Sequence, residues 1–274
     1  MFTKNIFLFL LSLSPLFGQG YVTSHIHAQL GNQLFEIAVA VSYALDYGLE
    51  ARFPEISTSS KYKEILHRVN TSPFPKGVIF TDYQEKIGVY EEIKPDLSKN
   101  FRFTGYFQSD KYFNRHKQEI INLFAPSRSI VKKIRKDYGH LLVQPTVALH
   151  LRTFIPDGNN PNDPMNWGGF CWDYFLKAMD YFPDSYLFLV FSDSIKWAKK
   201  NFPKTSKHIV FIEEDLTTDF YLMSLCDHQI ISPRSSFSWW AAYLNQNPSK
   251  IVIMRRGSET NTEGVPEGWV RLKM

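Results

Sequence analysis

From Pro145 onward the chain alternates short apolar runs with amphipathic ones, and that alternation leaves few folds open. "TVALHLR" (146–152), "SYLFLVFSD" (185–193), "HIVFIEE" (208–214), "HQIIS" (228–232) and "KIVIMRR" (250–256) read as buried strands. Between them, "WDYFLKAMDYF" (172–182), "SIKWAKKNF" (194–202), "LTTDFYLMSLC" (216–226) and "FSWWAAYLN" (237–245) read as helices. Strands joined through helices must run parallel, because a hairpin cannot return the chain to the same end of a sheet. The predicted class is therefore α/β with parallel sheets.

The first part of the chain repeats the theme more loosely. Tyr21 to Ile26 is a predicted strand, followed by a turn around Gly31 and Asn32. A helix follows from Leu34 to Tyr47, with Phe35, Ala38, Val39, Ser42 and Leu45 facing the core. Gly48 stops it and Glu50 to Phe53 forms the next strand, completing a βαβ unit. Residues 54–110 read as irregular, with Pro54, Pro73, Pro75 and Pro95 scattered through them. "FRFTGYFQSDKYF" (101–113) predicts a strand and then a helix from about Asp110 to Leu123. "SRSIVKKIRKDYGH" (127–140) predicts an amphipathic helix with Ile130, Ile134 and Tyr138 on one stripe and a solvated basic face. Two α/β lobes are expected, spanning 21–140 and 141–274.

Residues 1–20 stand apart. Lys4, an apolar stretch from Ile6 to Phe17, and small residues at Gly18 and Gly20 have the layout of a secretory signal peptide or a short signal anchor. A buried first strand is the alternative. The expected location is thus the secretory pathway or a membrane surface: a Golgi lumen in a eukaryote, the inner membrane in a bacterium. Asn70-Thr71-Ser72 is a glycosylation sequon that matters only on a eukaryotic export route.

Composition excludes several classes. A net charge of +4 without a basic run does not suit a nucleic-acid binder. Two cysteines, Cys171 and Cys226, rule out a disulfide scaffold or a Cys-based zinc module, and free thiols are expected. Aromatic residues make up 16% of the chain. They serve either as core or, at Trp167, Trp172 and Phe107, as platforms for sugar rings.

Ligands of an open parallel sheet bind beyond the carboxyl ends of its strands. In the second lobe those ends carry His150 and Arg152, then Ser192 and Asp193, then Ser232 to Ser236. Arg152 offers a fixed cation with a five-donor fork suited to a phosphate, or else a structural ion pair. Ser235 and Ser236 open a helix, where they either cap it or add hydroxyls to an anion held by its free N–H groups. No Asp-x-Asp, phosphate-binding Gly-Lys loop, dinucleotide fingerprint, His-Glu-x-x-His or Gly-x-Ser-x-Gly occurs. A diphosphate would therefore be held by arginine and helix N–H groups with no metal, and no cofactor is expected.

Four blocks, "LGNQLFEIAVAVSYA" (30–44), "GYFQSDKYF" (105–113), "LVFSDSIKWAKKNF" (189–202) and "DFYLMSLCDHQIISPRSSFSWWAAYLNQNPSKIVI" (219–253), resemble glycosyltransferase family 11, the α-1,2-fucosyltransferases. The resemblance implies a GT-B-like fold of two Rossmann-like lobes, GDP-fucose as donor, and inversion at the anomeric carbon without a metal. It also implies a galactose-terminated glycan as acceptor, fucosylated at its 2-hydroxyl. Arg152 would hold the β-phosphate, His150 and Asp219 would read guanine and ribose, and Ser235 and Ser236 would line the diphosphate. Gly31, Asn32 and Gln33 would bring the first lobe against a sugar.

The family's "HxRRGD" reads "HLRTFIPDG" here, so Thr153 replaces a second arginine and Asp157 comes late. Asp157 is the candidate general base and Asp163 the second. Arg234 is either a compensating cation or a surface residue. Ala28-Gln29 stands where the family has a glycine pair. Rival functions are transfer in another linkage, a protein O-fucosyltransferase-like activity, and a non-catalytic GDP-sugar- or glycan-binding protein.

Overall fold

The computed structural model describes residues 20–57, 59–86, 88–154, 170–258 and 264–274. The leader, Asp157, Asp163 and Trp167 lie outside these residues. Among the described residues no helix is long and apolar enough to cross a membrane.

Two all-parallel sheets form the frame. The first has the order β2-β1-β4-β3, from β1 (Tyr21–Ser24), β2 (Glu50–Ala51), β3 (Phe80–Gln84) and β4 (Asn100–Thr104). The second has the order β10-β9-β8-β5-β6-β7. Its central strand β5 (Thr146–Leu151) is buried throughout, as its unbroken "TVALHL" requires of a strand covered on both faces. Around it lie β6 (Leu187–Ser192), β7 (His208–Phe211), β8 (His228–Ile230), β9 (Val252–Arg255) and β10 (Val270–Leu272). The arrangement is α/β and GT-B-like.

Each sheet reverses its winding once. In the first, the chain goes outward from β1 to β2 and then returns to the other side of β1. In the second, β5, β6 and β7 run one way, and β8, β9 and β10 then fill the opposite side of β5. A crevice opens where the crossovers diverge, so the β1/β4 and β5/β8 gaps are where a ligand should sit.

Helix α1 (Leu30–Tyr47) and helix α7 (Ser236–Leu244) join the lobes. Phe35 of α1 lies 4.6 Å from Trp239 and 5.0 Å from Trp240 between ring centroids, and Phe113 stacks on Trp240 at 5.3 Å. Edge and offset pairs of this kind add about 0.5–1.5 kcal/mol each beyond the area they bury. The "SWW" of the sequence is therefore the hydrophobic joint between lobes. Its position brings the start of α7 against the start of α1.

Several boundaries differ from expectation. Helix α1 begins at Leu30, so Gly31, Asn32 and Gln33 are its first turn rather than a preceding loop. Leu45 is 46% exposed, because the cover given by β1 and α7 ends before the last turn. Gly48 ends the helix in the left-handed region at φ 65°. The helix expected from Asp110 to Leu123 is broken: short 3₁₀ turns at Asp110–Tyr112 and Asn114–His116 precede α2 (Lys117–Leu123). The break falls at Phe113, whose φ of −141° is not helical and whose ring is fully buried against Trp240. The edge strands β3 and β10 were not expected at all. Their sequences, "FTDYQ" and "VRL", are half exposed and too polar or too short to show strand alternation. The amphipathic helix is present as α3 (Arg128–Tyr138), capped by Ser127 and buried through Ile134. The remaining crossover helices are α4 (Trp172–Met179), α5 (Ile195–Asn201) and α6 (Leu216–Leu225).

Both cysteines are free thiols. Phe107 is fully buried, and Trp172 stacks on Trp197 at 5.8 Å inside an aromatic cluster with Phe170 and Phe202. Phe107 is therefore core rather than a sugar platform, while Trp172 is half-buried and does not line the cavity between the lobes.

Candidate active site

A cavity of about 800 Å³ lies between the lobes. Its wall takes Gly31 and Asn32 from α1, Tyr106 and Gln108 from the loop after β4, and His150 and Arg152 from β5. Ser192 and Asp193 at the end of β6, Asp219 from α6, Arg234 and Ser235 before α7 and Ser236 at its start also line it, as do Gln29, Tyr62 and Glu214. Gln33 is not part of the wall; its amide Nε2 donates to the Ala28 carbonyl at 3.1 Å.

Backbone strain is concentrated here. Among the described residues, the non-glycine positions with positive φ are Ala28 (60°), Phe107 (50°), Phe154 (55°) and Arg234 (57°). Each follows the carboxyl end of one of the four strands that flank the two switch points: β1, β4, β5 and β8. Left-handed backbone at residues with a Cβ costs of order 1 kcal/mol and clusters where a site must be shaped. Four independent segments pay this cost at one cleft.

The β5 end is the cationic pole. Arg152 Nη1 donates to Asp193 Oδ2 at 2.9 Å, and its backbone N–H donates to Ser232 Oγ at 2.9 Å. Asp193 also accepts from the Thr153 N–H (2.8 Å), the Thr153 hydroxyl (3.0 Å) and the Phe154 N–H (3.0 Å). The carboxylate thus anchors the turn after β5 and aims the guanidinium, which also lies over the Phe154 ring at 4.4 Å. Thr153 is fully buried with its hydroxyl on Asp193 and adds no charge to the cleft. Arg234, by contrast, is exposed on the cavity wall. Ser192 is bound inward, its hydroxyl donating to the Leu151 carbonyl at 2.8 Å.

Ser235 is the N-cap of α7, its Oγ accepting from the Ser238 N–H at 3.3 Å. Capping and ligand access are not exclusive, because the N–H groups of Ser236 and Phe237 have no intrahelical carbonyl to reach. With the helix dipole they form an anion seat facing Arg152 across the cavity. His150 Nδ1 lies 3.3 Å from Ser235 Oγ. Burial holds its imidazole down to about 4, with Arg152 acting the same way and Asp193 opposing. At neutral pH it is an uncharged hydrogen-bonding group. It is Asp193, not His150, that fixes Arg152.

The cavity wall also carries two acidic residues, Glu214 and Asp219. Glu214 is paired, accepting from Lys133 Nζ at 2.8 Å and Tyr138 Oη at 2.7 Å. Asp219 is not: its Oδ1 is buried with no hydrogen-bond partner among the described residues. Burial first, then Asp215 and Glu214, push its carboxyl up to about 8 against the pull of Lys133. The folded chain therefore binds a proton here that the unfolded chain releases near its ordinary value of 3.8. Stability from this group is full below that value and is lost as pH rises toward 8. Asp219→Asn is expected to melt above wild type at pH 8, with the gap closing toward pH 4. Thermal unfolding across that range checks it, and a gap independent of pH would refute it.

On the first-lobe side, Asn32 Oδ1 accepts from Gln108 Nε2 at 2.8 Å, and Gln29 Oε1 accepts from Tyr62 Oη at 2.6 Å. Sequence reasoning missed Gln29, Tyr62, Tyr106, Gln108 and Glu214. "GYFQSD" already stood among the family-like blocks, and the carboxyl end of β4 is equivalent to that of β5. The strand at 101–104 was expected, and treating its carboxyl end as a ligand side, as for β5, would have pointed to Tyr106 and Gln108.

The protein-family model for glycosyl transferase family 11 matches residues 16–270. An α-1,2-colitosyltransferase of Escherichia coli is 27% identical over 73% of this chain and 72% of its own. The O-antigen biosynthesis glycosyltransferase WbnK of the same species is 26% identical over 89% and 97%. A bovine galactoside 2-α-L-fucosyltransferase, SEC1, is 26% identical over 82% and 64%. Among solved structures, the fucosyltransferase NodZ from Bradyrhizobium superposes with a TM-score of 0.55 at 12% identity, covering 85% of this chain and 94% of that one. Fold, cleft and sequence agree, and the chain belongs to glycosyl transferase family 11, a family of glycosyltransferases.

Proposed function

We propose that the protein transfers L-fucose from GDP-β-L-fucose to the 2-hydroxyl of a terminal galactoside, with inversion and without a metal. The observation that carries the reading is that one cavity holds both a cationic turn and a buried, unpartnered carboxyl oxygen. Arg152 and the start of α7 suit a diphosphate, and Asp219, whose Oδ1 has no hydrogen-bond partner among the described residues, offers the same cavity an acceptor for hydrogen-bond donors. Guanosine supplies such donors in its ring N–H, its exocyclic amine and its ribose hydroxyls. GDP spans both needs. NodZ, a protein with the same fold, has been crystallised with GDP and soaked with GDP-fucose.

The chemistry follows from the charges. As the bond from the anomeric carbon to the β-phosphate oxygen breaks, negative charge grows on the diphosphate. Arg152 and the α7 N–H groups are already oriented toward that charge and need no reorganisation to stabilise it. Neutral His150 contributes a hydrogen bond without competing for charge. The acceptor oxygen attacks from the opposite face, which inverts the centre.

Incubation with GDP-fucose and either lactose or N-acetyllactosamine, in the presence of EDTA, is expected to release GDP and give an α-1,2-linked product identified by NMR. Abolition by EDTA would overturn the metal-free mechanism, and a different linkage would overturn the acceptor assignment. Binding of GDP-fucose without turnover on any acceptor would favour a non-catalytic binding protein. The colitosyltransferase relative makes donor choice a real question, since colitose is fucose lacking its 3-hydroxyl; a preference for the GDP-activated 3-deoxy sugar would reassign the donor.

A further inference from the structure

His27 follows β1 at the first lobe's switch point, and the reading above gives it no task. Its Nδ1 lies 2.8 Å from Glu36 Oε1, and its backbone N–H donates to Glu36 Oε2 at 3.0 Å. Glu36 therefore holds the main chain of His27 by a hydrogen bond and stands at ion-pair distance from its ring, with Oε1 making no hydrogen bond among the described residues. Glu36 is completely buried in α1, whereas the His27 side chain is 45% exposed. The imidazole stacks on Tyr106, a wall residue of the cavity, with centroids 4.7 Å apart and planes 26° from parallel. The ring contacts to polar atoms, Glu36 and the His25 carbonyl, are both made by Nδ1. Nε2 has no polar partner among the described residues, and the ring reaches the cavity through its stacking on the wall residue Tyr106 rather than lining it.

A buried carboxylate behind an exposed, oriented imidazole is costly to fold, because desolvation of the acid must be repaid. It is also how a general base is held in one tautomer with one nitrogen presented. Location supports that use. Inversion requires the acceptor hydroxyl to approach from the side opposite the departing diphosphate. The diphosphate seat belongs to the second lobe, so the base must stand on the first, where His27 is.

We propose that His27 is the general base of the transfer, with Glu36 as the positioning residue that fixes its ring and tautomer. This rests on the fucosyl-transfer reading. The acceptor O–H bond breaks and its proton goes to His27 Nε2. The oxygen's electron pair forms the bond to the anomeric carbon, and the carbon–oxygen bond to the β-phosphate breaks with its pair leaving on GDP. The Nε2 proton is then lost to solvent.

Burial, with a smaller push from Glu85 and opposed by the His27 N–H, raises the Glu36 carboxyl to about 8. The buried Glu36 acid takes on charge only as pH rises toward that value. The titratable groups around the pair are Glu85 after β3, His25 on the same loop and Tyr106 after β4. The competent state is the one with Glu36 ionised behind the ring, so turnover should rise with pH as Glu36 loses its proton.

The test uses the full chain with GDP-fucose and the acceptor that wild type accepts. His27→Gln should lower kcat by about 10²- to 10⁴-fold, the range of general bases, and abolish the rising pH limb. GDP affinity and the slow hydrolysis of GDP-fucose without acceptor should be unchanged. Imidazole should restore part of the rate to His27→Ala. Glu36→Gln should lower kcat less and leave the donor KM intact; should that variant fail to fold, the exposed His27 variants still decide. Turnover within threefold of wild type in His27→Gln, absence of imidazole rescue, or a matching loss of GDP affinity would overturn the assignment. If wild type transfers no fucose to any acceptor, the fucosyl-transfer reading itself fails. If it does transfer and Asp157→Asn alone abolishes the pH limb, only the base is reassigned.

Discussion

Arg152→Ala is expected to reduce acceptor-dependent GDP release by about a hundred- to a thousandfold, the usual loss when one preorganised donor to a developing anion is removed. The fold should survive it. Asp193 keeps three of its four protein donors, the Thr153 N–H and hydroxyl and the Phe154 N–H, so the turn after β5 stays anchored. The ion pair itself is one-third exposed at Arg152 and adds little stability. Thermal unfolding should therefore move little while turnover collapses. Arg152→Lys keeps the charge but loses the planar fork, and its rate should fall between the two. Equal turnover in wild type and Arg152→Ala would remove the catalytic reading. A large drop in melting temperature would instead show that Arg152 is mainly structural.

The second lobe was legible because its strands are buried on both faces. "TVALHL" and "LFLVFS" cannot be read as anything but core, and their polar endings mark the ligand side without further information. The first lobe hid its site for the converse reason. β3 is a half-exposed edge strand that its sequence does not announce, so β4, although expected, could not be seen as part of a parallel sheet whose strand ends carry Tyr106 and Gln108. Ser235 illustrates a different limit. Its residue type suggested either a cap or a ligand, and only the geometry shows one hydroxyl capping α7 while standing beside His150. Asp193 stands at a strand end among the expected ligand residues, yet its oxygens are taken up by the turn that carries Arg152. Sequence can place a polar residue at the mouth of a cleft. Which way its side chain faces depends on neighbours 40 residues distant, as with Thr153 and Asp193.

Gly31→Ala is expected to destabilise the protein and weaken donor binding together. On propensity alone the change should help, since alanine is favoured over glycine inside a helix by about 1 kcal/mol. The packing reverses the sign. A Cβ at position 31 would lie 2.5 Å from both the carbonyl carbon and Oγ of Ser236, and 2.7 Å from the Phe237 nitrogen. Two of those atoms are backbone in the first turn of α7 and cannot move independently of the helix. Relief requires α1 and α7 to separate, which strains the Phe35–Trp239–Trp240 joint; overpacking of this kind costs about 1–3 kcal/mol. The same displacement would carry Ser236 and the α7 N–H groups away from Arg152, so the donor KM should rise with the loss of stability. Melting curves and GDP titrations on one variant measure both. An unchanged or higher melting temperature would mean that the two helix starts do not meet at this distance, and the diphosphate seat built on their contact would have to be redrawn.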